Sequence, residues 1–221
     1  MPPWRPESAA DYRENLLESL FNTMLNFRLD EIRRQPEAPF TSAFVGGGNL
    51  VRPVDIYSVG AQLLDDRILD GIDVVMTEVA RVQQYGFTPS ELERAKAQVL
   101  QNYESLYRDR ENTDSVSFAE EYVRHFLTGE SIPGIEVEYA GAEELPAITV
   151  DDVNAVTEKL VGNDNRTLRH RFRAGKRDAA HRGRVTAVLD GVAAKELELY
   201  PGHGCGRRVA GPRAAAGGHR R

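Results

Sequence analysis

The sequence has a single cysteine, Cys205, among its 221 residues. One thiol excludes an internal disulfide framework and a zinc site built from several thiolates, and it leaves the redox compartment open. No apolar run approaches the roughly 20 residues that a membrane-spanning helix requires. The first six residues, Met1 to Pro6, also lack the apolar segment of a signal peptide. We therefore predict no membrane partner, and both periplasm and cytoplasm stay open as the compartment.

Basic residues are fewer than acidic ones. The chain carries 28 Lys and Arg against 34 Asp and Glu, which gives a net charge of -6. A negative chain is repelled by a phosphate backbone, so we predict no nucleic-acid partner. Hydrophobic residues make up 41% and charged residues 28%, which is typical of a globular protein. The length suits one generous domain, or one domain followed by a tail.

Histidine is scarce in the first 165 residues, where only His125 occurs. A hydrolytic zinc site needs about three protein ligands. Its usual core is two histidines on one helical turn, as in H-E-x-x-H or H-x-x-E-H. Neither motif is present in the sequence, and we interpret His125 as a surface or half-buried residue of a helix. We accordingly predict no catalytic residue, no metal ligand and no cofactor in this chain.

Three other patterns invite a functional interpretation and have a structural one. Residues Gly46–Gly48 join two strand patterns and precede no G-K-[ST], which indicates a hairpin turn rather than a phosphate loop. Paired carboxylates act as acid and base only where they converge in a cleft, and we interpret these as solvated helix faces: Glu91 and Glu93, Glu120 and Glu121, Glu143 and Glu144. Aromatic residues at helical spacing predict core packing: Tyr103, Tyr107, Phe118, Tyr122 and Phe126.

Hydrophobic periodicity and capping residues predict mainly helices around one pair of strands. The strongest helix start is Thr88 as N-cap, Pro89 at the first helical position and Glu91 closing a capping box, and Leu106 belongs to the predicted buried face of that helix. Ser8 with Asp11 and Thr149 with Asp152 predict two further capping boxes, and Gly86 predicts a helix end. The predicted elements are a helix over 8–34, strands over 40–45 and 55–63, a helix from Asp66 to Gly86, one from Thr88 to Leu106, helices over 115–127, 135–145 and 149–160, and a later strand near 166–173. This order predicts an α+β fold, in which helices pack on one face of a small, mainly antiparallel sheet.

Four segments, in order along residues 10–165, resemble segments of pitrilysin/insulinase-family peptidases. They are LNFRLDEIR (25–33), YGFTPSELERAK (85–96), YVRHFL (122–127) and ITVDDVN (148–154). The second is similar to the family's G-[FI]-T-x-x-E-L-x-R-A-K segment, which opens a long helix. The resemblance implies the pitrilysin/processing-peptidase-like metallohydrolase fold.

In that family, one peptidase half consists of two similar α+β domains. The first binds zinc through H-x-x-E-H and a distal glutamate, and the second lacks these ligands and walls the substrate chamber. Because H-x-x-E-H is missing, the resemblance implies a non-catalytic second-type domain, most like that in the N-terminal half of a long bacterial member. The implied parent is a zinc metalloendopeptidase acting on peptides or unfolded segments. Its zinc would lie in an H-x-x-E-H domain, which is the implied partner of this chain.

The resemblance also implies a substrate-binding pair. The family's last domain often has an Arg and a Tyr seven residues apart, which bind the substrate backbone. Here the arginine falls on Arg33, and seven residues on stands Phe40, which lacks the phenol donor. A guanidinium can still hold a peptide carbonyl, so we predict that Arg33 and Phe40 line the chamber wall. The alternative is an ordinary salt bridge of Arg33 at a helix end.

The chain changes character after Arg166. We predict the family-like domain over 8–165, a degraded remainder over 166–200 with one helix near 185–198, and a disordered basic tail over 201–221. Two reading-frame shifts in a GC-rich gene would explain the remainder, and a basic tail that binds nucleic acid is a weaker alternative. For the whole chain, the alternatives are a stand-alone inactive homologue that acts as an interaction or scaffold module, and an independent enzyme of unknown type.

Overall fold

In the computed structural model, the described residues are 9–51, 54–129, 132, 134–162, 167–169 and 182–201. The helices are α1 (Ala9–Arg33), α2 (Ile68–Tyr85), α3 (Pro89–Arg108), α4 (Ser115–Thr128), α5 (Ile135–Gly141), α6 (Val150–Ala155), α7 (Thr157–Val161) and α8 (Arg182–Ala193). The strands β1 (Phe40–Val51) and β2 (Val54–Leu63) form an antiparallel hairpin. A small antiparallel sheet with packed helices confirms the predicted α+β fold.

Helix α1 lies at the centre of the fold. Its apolar residues recur at helical spacing, and Leu20, Phe21, Met24 and Leu25 are fully buried. The helix contacts β1, α2, α3, α5 and α6. The hairpin and most of the later helices therefore share one core with α1 as its common element.

The hairpin differs from its prediction at the three glycines. Gly46, Gly47 and Gly48 do not form the turn but lie inside β1, paired with Ser58, Tyr57 and Ile56. The predicted turn was therefore wrong, and the strands are connected by residues 52–53, which lie outside the described residues. A Cβ at Gly47 would stand 2.2 Å from Oε1 of Glu18. Glycine at this position lets α1 approach the strand closely.

The side chain of Asn26 fastens α1 to β1. Its Oδ1 accepts a hydrogen bond from the backbone N–H of Val45 at 2.8 Å, and its Nδ2 donates to the carbonyl of Val45 at 3.0 Å. The amide thereby satisfies both backbone groups of a buried strand residue, which would otherwise be costly to leave unpaired.

The predicted caps of α2, α3 and α6 are confirmed. Gly86 ends α2 with φ at 67°, a left-handed conformation that glycine adopts without strain. Thr88 and Glu91 form both hydrogen bonds of a capping box at the start of α3, with Pro89 in the first turn. Thr149 and Asp152 do the same for α6. For α1, the predicted cap residue Ser8 lies outside the described residues.

Several later predictions differ from the structure. The helix predicted over 135–145 is α only to Gly141 and continues as a 3-10 helix over Ala142–Ala147. The helix predicted over 149–160 is divided into α6 and α7 at Val156. Residues 167–169 of the predicted late strand are not in a strand, and the rest of that segment lies outside the described residues. Leu106, assigned to the buried face of α3, is exposed.

The aromatic residues at helical spacing fall into two groups. Tyr103 packs against the core, and Tyr107 stacks on Tyr139 with 4.7 Å between ring centroids. In contrast, Phe118, Tyr122 and Phe126 of α4 are exposed, so the prediction of core packing was wrong for these three. Helical spacing shows that residues share a face, but it does not say what covers that face.

Helix α8 agrees with the helix predicted near 185–198, although it begins and ends earlier. Its Val185 is buried in a small apolar cluster with Ile68 and Ile72 of α2. Beyond the helix, Lys195 Nζ contacts both carboxylate oxygens of Asp73, at 2.7 and 2.6 Å. The segment 182–200 is thus packed along α2.

Candidate functional site

The two residues predicted to bind substrate lie at opposite ends of the connection from α1 to β1. The Arg33 side chain is 43% exposed and is paired with Asp30, one helical turn earlier, with 2.6 Å between Nη2 and Oδ1. This is the ordinary salt bridge that the alternative anticipated. The side chain of Phe40 is 3% exposed and belongs to the core. The structure therefore presents the guanidinium to solvent and encloses the phenyl ring.

Potential metal ligands are spread over the described part of the fold. Within the described parts of the chain, no group of three His, Cys, Asp or Glu residues is arranged to hold a metal ion. His125 lies exposed on α4, as a surface residue. The zinc that the family resemblance implies is assigned to a separate H-x-x-E-H domain, and the described residues show no ligand group for it.

A buried group of charges lies where α1 packs against the start of α3. Arg28 has no exposed surface and forms a bidentate ion pair with Glu91, with Nε–Oε1 at 2.6 Å and Nη2–Oε2 at 2.9 Å. Its Nη2 also donates to the carbonyl of Gly86 at 3.1 Å, and its guanidinium stands 4.9 Å from the ring centroid of Phe87. The pair joins α1 to the start of α3 across 63 positions of sequence.

Glu91 has two structural duties. Its Oε2 accepts from the N–H and the hydroxyl of Thr88 at 2.8 and 2.9 Å, and the same carboxylate binds Arg28. Burial opposes ionisation, but the hydrogen bonds and charge of Arg28 and the hydrogen bonds of Thr88 outweigh it, so the pKa of Glu91 is lowered. An ionised and fully engaged carboxylate is a poor general acid or base. The prediction of a solvated face was wrong for this residue.

Tyr200 covers the outer side of the buried pair. The guanidinium of Arg28 stands 4.3 Å from the centroid of the Tyr200 ring, which is cation–π geometry. The Tyr200 hydroxyl donates to Oε2 of Glu31, and the other oxygen of Glu31 binds Arg94 at 2.8 Å. Burial, followed by the hydrogen bond to Glu31, raises the pKa of Tyr200. The C-terminal segment thus completes a charge cluster that was begun by α1 and α3.

Glu78 is the one buried carboxylate of the cluster whose pKa is raised. Burial dominates over the attraction to Arg81 and Arg28, and Arg81 Nε lies 3.2 Å from Oε1. Oε2 of Glu78 and Nη1 of Arg28 have no hydrogen-bond partner among the described residues. A raised pKa is a frequent sign of function, but in this case the carboxyl group is enclosed rather than set in a cleft.

Sequence reasoning missed Arg28 and Tyr200. Arg28 follows Met24 by four positions and Phe21 by seven, so it falls on the buried stripe of α1. A charge at such a position requires a buried partner, and this was the signal that could have identified it. The carboxylate comes from a distant helix, and Tyr200 comes from a segment whose sequence is irregular. Neither contact has a local sequence pattern.

Comparisons with known proteins agree with this architecture. The chain is 33% identical over 161 residues to a zinc protease PQQL-like protein of Arabidopsis thaliana, an alignment that covers 72% of this chain and 14% of that protein. The fold matches the periplasmic protease PqqL from Escherichia coli with a TM-score of 0.74 at 18% identity, over 90% of this chain and 22% of PqqL. No protein-family model matches the sequence.

Two further structures locate the likeness within larger proteins. The crystal structure of the first half of PqqL gives the same TM-score, and the chain covers 44% of it. A predicted insulinase family protease from Yersinia pestis matches with a TM-score of 0.68 at 11% identity, over 87% of this chain and 42% of that one. The fold is that of insulinase-like protease domains. On sequence and fold together, the chain belongs to the insulinase/pitrilysin family of metallopeptidases.

Proposed function

We propose that this chain is a non-catalytic, substrate-enclosing domain of a zinc-dependent metalloendopeptidase that cleaves peptides or unfolded segments. One observation carries the proposal: the sequence contains no H-x-x-E-H, and the described acidic and histidine side chains form no metal-ligating group. The best-placed carboxylate, Glu91, is engaged in holding α1 to α3. Zinc and its ligands would then belong to an H-x-x-E-H domain of the same family.

The extent of the matched relatives supports this division of labour. The chain covers 14% of the PQQL-like protein and 22% of PqqL. A zinc protease of that size has ample polypeptide elsewhere to supply the metal site. PqqL is a periplasmic protease, which supports the periplasm over the cytoplasm as the compartment of the parent. Cell fractionation of the tagged parent tests this.

The direct test is metal content and turnover of the purified full chain. We expect far less than one zinc per chain after incubation with zinc and desalting, and no cleavage of a quenched fluorogenic peptide. The PQQL-like zinc protease, treated in the same way, is the positive control. One tightly held zinc per chain together with cleavage that a chelator abolishes would refute the proposal and favour an independent enzyme.

We further propose that Arg33 contributes a guanidinium to the wall of the substrate chamber. Its exposure and its position at the end of α1 support this role. The ring of Phe40 is buried, so its part is to hold the start of β1 beside that wall. Arg33→Ala in the parent peptidase should raise the KM for peptides with little change in kcat. Arg34→Ala is the matched control, because Arg34 is the exposed neighbour of Arg33 and pairs with the same Asp30. Unchanged KM and kcat would remove Arg33 from the substrate site.

The domain is proposed to comprise residues 8–165 and the remainder over 166–200. The packing of α8 on α2 and of Tyr200 over Arg28 supports inclusion of the second part. Residues beyond 201 lie outside the described residues, so the tail stays a prediction.

A scaffold or interaction module is the second candidate. The exposed apolar face of α4 supports it, because an exposed apolar face of this kind marks a surface for a partner protein. An adjoining reading frame that encodes H-x-x-E-H would support the peptidase domain, and an isolated gene whose product copurifies with a complex lacking such a domain would support the scaffold.

A further inference from the structure

Helix α4 (Ser115–Thr128) has an apolar face along most of its length, and the described residues do not cover it. Val116, Ala119, Val123 and Phe126 recur at spacings of three and four residues, so they share one side of the helix. Tyr122 lies beside them. Phe126 is 86% exposed and Tyr122 is 61% exposed. Of the α4 side chains that the structure describes, Glu121 is half-buried and the rest are exposed.

The helix is nevertheless well formed at both ends. The N–H of Ser117 donates to Oδ1 of the N-cap Asp114 at 2.9 Å. Gly129 ends the helix in the left-handed conformation, with its N–H bonded to the carbonyl of His125 at 2.8 Å. An isolated helix of this length is marginal in water. Complete caps on an amphipathic helix with an exposed apolar face therefore indicate a partner surface.

The size of the apolar face suits a protein contact. The aromatic residues Tyr122 and Phe126 alone expose about 300 Å² of surface, when a fully exposed aromatic side chain is taken as about 200 Å². That is already at the level of the largest apolar patch on a typical monomer. With Val116 and Val123 added, the face reaches a substantial part of the roughly 800 Å² that each partner contributes to a standard interface.

The charges around the face indicate which kind of partner surface it fits. Glu120 lines the same shallow apolar groove as Ser115, Val116, Ala119 and Val123. The chain as a whole carries a charge of -6. A second copy would place like charges together, and an anionic lipid surface is disfavoured for the same reason. An apolar surface with a basic rim is the complementary partner.

The solved relatives say where such a partner would come from. A fold like this one makes up 44% of the first half of PqqL, so more than half of that unit is additional polypeptide in the same chain. We propose that the apolar face of α4 is the surface on which this domain docks the adjoining, H-x-x-E-H-bearing domain of the peptidase, through an apolar patch with a basic rim. This inference rests on the proposed function and specifies the interface that the function needs.

The test uses the full chain and an H-x-x-E-H domain of an insulinase-family peptidase, labelled for fluorescence anisotropy. We expect the native chain to bind and Phe126→Glu or Tyr122→Glu to weaken binding by roughly 30-fold or more, as expected for buried aromatic anchors. Ser117→Glu is the matched control, because it adds the same charge on the opposite side of α4, where an acid suits the first turn. It should bind as the native chain does. Circular dichroism of each variant confirms that α4 and the core are folded.

The other outcomes separate this inference from the proposed function. Equal binding by the native chain and by Phe126→Glu would overturn α4 as the surface and leave the peptidase-domain function in place. A concentration-dependent dimer in sedimentation, abolished by Phe126→Glu, with no binding of the H-x-x-E-H domain, would assign the face to a second copy and overturn the inference. Zinc-dependent turnover by the chain alone would instead refute the proposed function.

Discussion

The buried pair of Arg28 and Glu91 should be a principal support of the fold, and this can be tested by a double-mutant cycle. Glu91→Gln keeps the shape and the acceptor for Thr88 but leaves the guanidinium of Arg28, which has no exposed surface, without its counter-charge. Breaking a buried pair in this way costs about 3–5 kcal/mol. The Gly86 carbonyl and the rings of Phe87 and Tyr200 remain to hold the cation. We therefore expect the lower end, about 3 kcal/mol.

The double variant Arg28→Met, Glu91→Gln removes both charges and retains the apolar contacts. Replacing a buried ion pair by groups of similar volume is often close to neutral, so the double variant should be more stable than Glu91→Gln alone by about 2 kcal/mol. Urea unfolding followed by circular dichroism at pH 7 measures all four corners of the cycle. As a control, Lys159→Met breaks the exposed pair with Glu14, for which about 0–1 kcal/mol is expected.

The pH dependence has a definite sign. The pKa of Glu91 is lower in the folded chain than its ordinary value of 4.5. Its contribution to the free energy of unfolding is therefore fully present above about pH 4.5 and is lost as the pH falls through the lowered folded pKa. Glu91→Gln should remove this part of the acid sensitivity. A cost below about 1 kcal/mol for Glu91→Gln, or additive effects in the cycle, would contradict the assignment of the pair as a structural support.

Three further predictions concern other contacts within the fold. Glu78→Gln should raise the stability at pH 7, because burial raises the pKa of Glu78 and its ionisation opposes folding; the difference should vanish in urea titrations at or below about pH 4.5, and an unchanged difference would contradict it. Tyr200→Phe should cost about 1 kcal/mol through the lost bond to Glu31, and Tyr200→Ala about 1–2 kcal/mol more through the lost ring; equal thermal shifts for the two variants would exclude a role for the ring. Gly71→Ala should destabilise by about 1–3 kcal/mol despite alanine's higher helix propensity, because its Cβ would stand 2.4 Å from Cδ2 of Leu63 and 3.3 Å from the carbonyl oxygen of Pro39; a stabilised variant in the same assay would show that this packing relaxes freely.

Features coded by short stretches of sequence were predicted well. The caps at Thr88, Gly86 and Thr149 were predicted correctly because each depends on a side chain or a backbone conformation within four residues. The position of the hairpin turn was not. Gly46–Gly48 and Arg52-Pro53 are both turn-like in composition, so composition alone does not say which of them is the turn. The pairing of β1 with β2 places the three glycines inside β1.

Features that depend on distant contacts could not be predicted in the same way. The partner of Arg28 is 63 positions away, and the position of Tyr200 depends on a segment that the family resemblance does not cover. The face of α4 illustrates a different limit. The spacing of its aromatic residues predicted core packing, and this was wrong for Phe118, Tyr122 and Phe126. Periodicity carries no information on whether a helix face is covered by the same domain or by another. The substrate-binding role of Arg33 and Phe40 stays a prediction.

The charges and the exposed surfaces of this domain have separate roles. Two ion pairs connect elements within the chain: the buried pair of Arg28 with Glu91 and the partly exposed pair of Arg94 with Glu31. Both pairs fix α1 against α3. Helix α4 follows α3 in the chain, and Arg33 ends α1, so each proposed functional surface is attached to an element that this cluster holds in place. Loss of binding in an α4 variant with unchanged unfolding would therefore report on the surface itself. A Glu91 variant should instead lose binding in proportion to the fraction of the chain that is unfolded. Under the proposed function, the domain contributes through the rigid placement of its surfaces, and comparison of these two classes of variant separates that contribution from simple stability.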